Sequence, residues 1–108
     1  MVRYVETLDE FKSILKESGG KLVVVDFTAT WCGPCQRIGP IFEALSKKPE
    51  NSNVVFLKVD VDDASEVAQE CKVNSMPTFQ FYKNGEKIEE FSGADGPKLE
   101  KLVDTYRN

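Results

Sequence analysis

Apolar residues along the chain occur in short runs that alternate with segments of helical periodicity. The runs from Leu22 to Thr28 and from Val54 to Val59 are mostly apolar, which is typical of strands buried on both faces of a parallel sheet. Before the first run, Leu8, Phe11 and Leu15 recur at the spacing of a helix with one buried face. The alternation predicts an α/β protein in which helices pack on a sheet.

The starts of two helices are marked by polar residues at capping-box spacing. Thr7 and Glu10 stand at the start of the first helical segment, and Asp63 and Glu66 stand at the start of the third. We therefore expect the side chains of Thr7 and Asp63 to accept hydrogen bonds from amides of the first turn. The second helix is predicted to bury one stripe of side chains against the sheet. This stripe comprises Ile38, Ile41, Phe42 and Leu45.

The last third of the chain predicts an antiparallel pair of strands. Asn84-Gly85 is a strong hairpin signal between strands predicted over Thr78 to Tyr82 and Lys87 to Phe91. The earlier strands are separated by helical segments, so we expect them to run parallel. With a polar loop over residues 49–53, the order becomes β-α-β-α-β-α-β-β-α. This order predicts one domain over residues 1–108, with a central mixed five-stranded sheet flanked by four helices in three α/β/α layers.

Charge and composition exclude several classes of function. The chain has 14 basic and 18 acidic side chains and no basic stripe, so it is a poor candidate for nucleic-acid binding. No apolar run approaches the ~18 residues that span a bilayer, and residues 1–6 do not resemble a secretory signal. We therefore expect no membrane association and a cytoplasmic location, with nuclear or exported pools left open. The absence of histidine excludes imidazole catalysis and imidazole metal sites.

Cys32 and Cys35 stand in the sequence Cys-Gly-Pro-Cys, between a buried strand and a helix. Unpaired amides and the positive end of the helix dipole favour a thiolate at Cys32, whereas Cys35 lies one turn further in and should be less exposed. Gly33 leaves room for a partner's chain, and Pro34 stiffens the first turn. A structural zinc site needs four ligands. Because Cys71 is the only other cysteine, we expect redox chemistry and no metal.

Two charged residues interrupt the apolar strands. Asp26 lies in the valine-rich strand before Cys32, where burial would raise the pKa of its carboxyl group. The alternative is a carboxylate solvated at the end of the strand. Lys58 interrupts the next strand and either lies near Asp26 or extends its ammonium group to water. Cys71 continues the apolar stripe of the third helix, which favours a small buried side chain over a regulatory thiol.

Several segments around the cysteine pair resemble the thioredoxin family, in particular its animal cytosolic type, over nearly the whole chain. The matching segments are Val25 to Cys35, Met76-Pro77-Thr78-Phe79, Lys83-Asn84-Gly85 and Phe91-Ser92-Gly93-Ala94. The resemblance implies the thioredoxin fold and the activity of a general protein-disulfide reductase. It also implies that Cys32 attacks a client disulfide and that Cys35 then releases the client.

By the same resemblance, Asp26 takes the proton of Cys35 during release. Gly33 and Pro34, together with Lys58, would tune the redox pair. Because the identity of the residue at position 58 varies between family members, the role of Lys58 is the least specific of these assignments.

The resemblance further implies a substrate groove beside the cysteine pair. Pro77 would follow a cis peptide bond that presents the backbone of Met76 to a client, and Trp31 and Gly93 would complete the groove. The residues themselves leave other interpretations open. Trp31 fits a core aromatic residue, Pro77 an ordinary trans turn, and Gly93 a simple turn glycine.

The resemblance also implies partners. We expect a monomer with no bound cofactor, which receives electrons from NADPH through thioredoxin reductase. The implied clients include peroxiredoxins, methionine sulfoxide reductases and ribonucleotide reductase. One alternative is a redox-sensing module that binds proteins through the same groove with little turnover. Oxidases and isomerases of related fold usually carry a different central dipeptide, often with histidine.

Overall fold

The computed structural model describes residues 1–108 and contains five strands and four α-helices. In chain order these are β1 (Val2–Tyr4), α1 (Leu8–Ser18), β2 (Val23–Thr28), α2 (Gly33–Lys47), β3 (Val55–Asp60), α3 (Ser65–Glu70), β4 (Thr78–Lys83), β5 (Glu86–Ser92) and α4 (Gly96–Tyr106). The predicted order of elements is confirmed. None of these helices combines the length and the apolar character needed to cross a membrane.

The strands form one mixed sheet in the order β1-β3-β2-β4-β5. Strand β3 pairs in parallel with both β1 and β2, whereas β4 runs antiparallel to β2 and to β5. Two register positions matter for the site: Asp26 lies opposite Lys58, and Phe27 lies opposite Thr78. The carboxyl ends of β2 and β3 therefore meet the amino end of β4 at one edge of the sheet.

Helices cover both faces of the sheet, as predicted. On one face α1 and α3 pack with Val25 and Phe27 of β2, and on the other α2 and α4 pack with Val24. Side chains alternate between the two faces of a strand. Asp26 therefore shares a face with Val24 and is directed toward α2. Lys58 is on this face too, because the neighbouring residues of β3 belong to the opposite cluster.

Of the two predicted helix caps, one is confirmed and the other is wrong. Thr7 Oγ1 accepts a hydrogen bond from the amide of Glu10 at 3.1 Å. Asp63 caps nothing, and α3 begins without any side-chain cap. In the turn between β3 and α3, Asp60 Oδ1 accepts hydrogen bonds from the amides of Asp62 at 2.9 Å and Asp63 at 3.3 Å. The carboxylate at the end of β3 thus binds these amides locally.

Two further expectations are wrong in detail. Ile41 is 43% exposed, although the rest of its stripe on α2 is buried. It lies over the start of α4, where a Cβ on Gly96 would come within 3.0 Å of Ile41 Cδ1. The predicted loop over residues 49–53 contains a short 3₁₀ helix, Pro49–Asn51. Its Asn51 is buried and donates a hydrogen bond to a carbonyl in the last turn of α2 at 3.0 Å.

Candidate functional site

Cys32 and Cys35 form a disulfide at the start of α2. Cys32 is the residue that caps the helix, and its Sγ accepts a hydrogen bond from the amide of Cys35 at 3.2 Å. Cys32 is 6% exposed and Cys35 is 2% exposed, so the expected order of accessibility is confirmed. Pro34 occupies the first turn, where the absence of an amide proton leaves no helical bond unmade. The sulfur of Cys32 is therefore the one that a partner can reach first.

The backbone before β4 adjoins the outer sulfur. The Met76–Pro77 peptide bond is cis, and the Met76 carbonyl oxygen lies 3.7 Å from Cys32 Sγ. The amide of Gly93 donates a hydrogen bond to the Pro77 carbonyl at 2.9 Å. Gly93 has a φ of 104°, which an L side chain rarely adopts. The structure thus brings together Met76, Pro77 and Gly93, three of the residues that the sequence predicted for the groove.

Trp31 stands at the surface beside the disulfide. It is 67% exposed, so the interpretation as a core aromatic is wrong. Its indole N–H donates to Asp62 Oδ2 at 2.9 Å. Sequence reasoning missed Asp62, although a signal was available: residues that follow adjacent parallel strands meet at the same sheet edge. Trp31 follows β2 and Asp62 follows β3.

Asp26 is buried beneath the active-site helix without a hydrogen-bond partner. Its side chain is 1% exposed, and neither carboxyl oxygen has a partner. The alternative of a solvated strand end is therefore wrong. Burial raises the pKa of Asp26 from 3.8 to about 7, and the positive charge of Lys58 partly opposes this increase. A carboxyl group with a pKa near neutrality can both accept and return a proton at physiological pH.

Lys58 lies close to Asp26, as one of the two interpretations of the sequence held. Its Nζ is 4.0 Å from Asp26 Oδ2, and the lysine side chain is 16% exposed. A cavity of about 380 Å³ adjoins Lys58 and Cys35. Gly39 also lines this cavity, and a Cβ at Gly39 would lie 3.8 Å from the Lys58 ammonium. Because Gly39 has no side chain, space is left around the ammonium group of Lys58.

Replacing Lys58 by methionine is expected to raise the pKa of Asp26 further, because the ammonium group opposes the effect of burial. Carboxyl NMR signals followed across a pH series measure this pKa directly. Lys47→Met is the matched control, since it removes an exposed lysine in the last turn of α2. An Asp26 midpoint that moves equally in both variants, or moves downward in Lys58→Met, would contradict the predicted contact.

Cys71 lies apart from the redox pair, among the side chains between the sheet and α1 and α3. Burial raises the pKa of its thiol. Gln80 Nε2 donates to the Cys71 carbonyl at 2.9 Å, and the Tyr82 hydroxyl donates to Gln80 Oε1 at 2.6 Å. This buried polar network fits the prediction of a small core residue.

Comparisons with known proteins agree with this geometry. The thioredoxin family model matches residues 2–107. Thioredoxin of Ictalurus punctatus is 60% identical over 107 residues, covering 99% of this chain and 100% of the relative. Human thioredoxin is 56% identical over 103 residues, covering 95% and 96%. Among solved structures, Malassezia sympodialis thioredoxin superposes with a TM-score of 0.93 at 47% identity, covering 99% of this chain and 94% of the other.

Proposed function

The chain belongs to the thioredoxin family and is a thiol–disulfide oxidoreductase, and from this premise we propose that it is a general protein-disulfide reductase. One observation carries the proposal: the outer sulfur of the Cys32–Cys35 pair accepts a hydrogen bond from the Cys35 amide and lies beside the Met76 carbonyl. A sulfur held in this way is stabilised as a thiolate once the pair is reduced.

The proposed reaction proceeds in two exchanges. The Cys32 thiolate attacks a client disulfide, which forms a Cys32–client bond while the second client sulfur leaves as a thiolate and takes up a proton. Cys35 then passes its proton to Asp26 and attacks Cys32 Sγ. The Cys32–client bond breaks, and the client leaves fully reduced. Two electrons have passed to the client, and the protein is left with the Cys32–Cys35 disulfide.

Thiolate stabilisation alone supplies little of the rate. For a thiol at neutral pH, lowering the pKa from ~8.5 to ~7, the value known for thioredoxin, raises the thiolate fraction roughly 15-fold. The accompanying loss of nucleophilicity is roughly fivefold at a Brønsted slope of ~0.5. The net gain is about threefold. Positioning of the client disulfide must therefore contribute most of the acceleration.

Positioning is assigned to the groove beside Cys32. The Met76 carbonyl is available to accept a hydrogen bond from an extended client backbone, as in strand addition to a sheet edge. Trp31 and Gly93 flank this position and exclude water from the exchanging sulfurs. Gly33 adds no side chain at the start of the helix, and Pro34 restricts the backbone of the first turn. A client can therefore approach the sulfur.

The proposed physiological cycle draws its electrons from NADPH through thioredoxin reductase, with no cofactor bound to the chain itself. Peroxiredoxins, methionine sulfoxide reductases and ribonucleotide reductase are the proposed clients, and a monomer in the cytoplasm is the proposed form. These assignments rest on the family membership.

The cycle is tested by NADPH-coupled insulin reduction with a thioredoxin reductase. We expect NADPH consumption proportional to the concentration of the chain and abolished in the double variant Cys32→Ser/Cys35→Ser. Cys71→Ala is the matched thiol control and should retain the activity. Absence of turnover in the intact chain, with client binding preserved in the double variant, would instead establish the redox-sensing module.

A further inference from the structure

Arg37 is a charged side chain in the second turn of α2 that has no partner inside the molecule. The other two arginines, Arg3 and Arg107, each pair with a carboxylate. Arg37 is exposed and makes neither an ion pair nor a hydrogen bond, although its neighbour Gln36 is tied to the Ala29 carbonyl at 3.0 Å. Its guanidinium is therefore free to meet a partner.

The position of this guanidinium follows from helix geometry. Side chains on a helix lean toward its amino end, so Arg37 lies over the turn that contains Gly33. A Cβ on Gly33 would come 4.0 Å from Arg37 Nη1. Gly33 directly follows Cys32, and the first turn of α2 contains no acidic residue. An unpaired positive charge thus lies over Gly33, the residue that follows the outer cysteine in the chain.

Two acidic residues that follow β3 or end it, Asp62 and Asp60, make hydrogen bonds of their own. Asp62 accepts from the indole of Trp31, and Asp60 binds the amides that follow it. Neither carboxylate reaches Arg37. One carboxylate, that of Asp62, is therefore bound at Trp31, whereas the guanidinium over Gly33 stays unpaired.

We propose that Arg37 selects client segments that carry an acidic side chain near the disulfide cysteine. The inference rests on the proposed reductase function and names a class of client segment for the same groove. A planar guanidinium presents paired N–H donors that match a carboxylate, whereas neutral side chains offer it only single acceptors. When the client sulfur meets Cys32, an acidic residue lying along Gly33 comes within reach of this fork.

Short disulfide-linked peptide dimers test the proposal. In the first series, glutamate or glutamine stands two positions before the cysteine. In the second series, it stands two positions after the cysteine. The reduced protein is mixed with each peptide in a single turnover, quenched with acid and analysed by chromatography. The measured quantity is the ratio of the second-order rate constants for the glutamate and glutamine peptides.

In at least one series, Arg37→Met is expected to lower this ratio by roughly 1.5-fold to fivefold, the range of an exposed ion pair. Lys47→Met is the matched control, because it makes the same change in net charge at the far end of α2. It lies on the order of 15 Å away along the helix, beyond the Debye length of ~8 Å in physiological salt. Its ratio should equal that of the unmodified chain.

Equal ratios in Arg37→Met and Lys47→Met, in both series, would overturn the proposal. The proposed function fails in a different way, since the unmodified protein would then reduce none of the peptides. Charge reversal gives a second measurement: Arg37→Glu should favour lysine over glutamine at the same peptide position. A preference for glutamate that persists in this variant would assign selection to another residue.

Discussion

Replacing Asp26 by asparagine is expected to raise the free energy of unfolding by about 3–4 kcal/mol at pH 8.5, but by less than about 1 kcal/mol at pH 4. The pKa of Asp26 is about 7 in the folded protein against an ordinary value of 3.8. Between these pH values the folded state holds a proton that the unfolded state has released, so stability falls as the pH rises. Asparagine removes the buried charge that causes this loss.

Urea unfolding of the oxidised protein over a pH series measures this effect. Asp63→Asn is the matched control because it removes an exposed carboxylate that caps nothing. The free energy of unfolding of Asp63→Asn should differ from that of the unmodified protein by a nearly constant amount across the pH series. For Asp26→Asn, the difference should grow as the pH rises. A constant difference for Asp26→Asn would show that its carboxyl group is not protonated near neutrality.

The same substitution is expected to slow the second exchange at pH 7 by at least about tenfold, because the amide cannot accept the Cys35 proton. Resolution of a preformed Cys32–client adduct, followed by rapid quenching, isolates this step. A variant that is both more stable and slower to resolve would indicate that the buried charge is retained for chemistry. Equal resolution rates would remove Asp26 from the proton transfer and leave its burial without a function.

The second large effect concerns the two cysteines separately. Cys32→Ser is expected to lower client reduction by roughly 1,000-fold or more, since the reachable nucleophile is lost. Cys35→Ser should also stop turnover, but it should accumulate a stable Cys32–client adduct. The difference follows from geometry, because the Cys32 sulfur lies beside the Met76 carbonyl and Cys35 is the more buried residue.

Mass spectrometry of both variants after exposure to oxidised insulin detects the adduct. We expect one insulin chain bound to Cys35→Ser and none bound to Cys32→Ser. Adducts in Cys32→Ser alone would reverse the two roles, even though Cys35 is the more buried sulfur.

The order of elements and the redox pair were predictable because both depend on local patterns. Valine-rich runs, an Asn-Gly turn and two cysteines at a helix start each specify structure within a few residues. Asp26 was predictable for the same reason: a carboxylate amid five buried neighbours in one strand is buried with them.

Other features depended on contacts between distant segments and could not be derived from spacing. Asp62 meets Trp31 across 31 positions of sequence, and only the strand order brings them together. Asp63 has capping-box spacing, yet α3 is capped one residue later by Ala64, whose side chain has no acceptor. Ile41 has the periodicity of a core residue, but it is the side chain missing from Gly96 that decides where it lies.

The strand order has a final consequence for how the molecule fluctuates. Strands β3, β2 and β4 lie at the centre of the sheet, with Lys58 on β3, Asp26 on β2 and the cysteine pair in the segment that follows β2, while β1 and β5 form the two edges. Strand β1 has only three residues, and β5 is exposed along most of its length. Edge strands open by local unfolding more readily than central ones. We therefore expect fast amide hydrogen exchange in β1 and β5 and slow exchange in the central strands β2, β3 and β4.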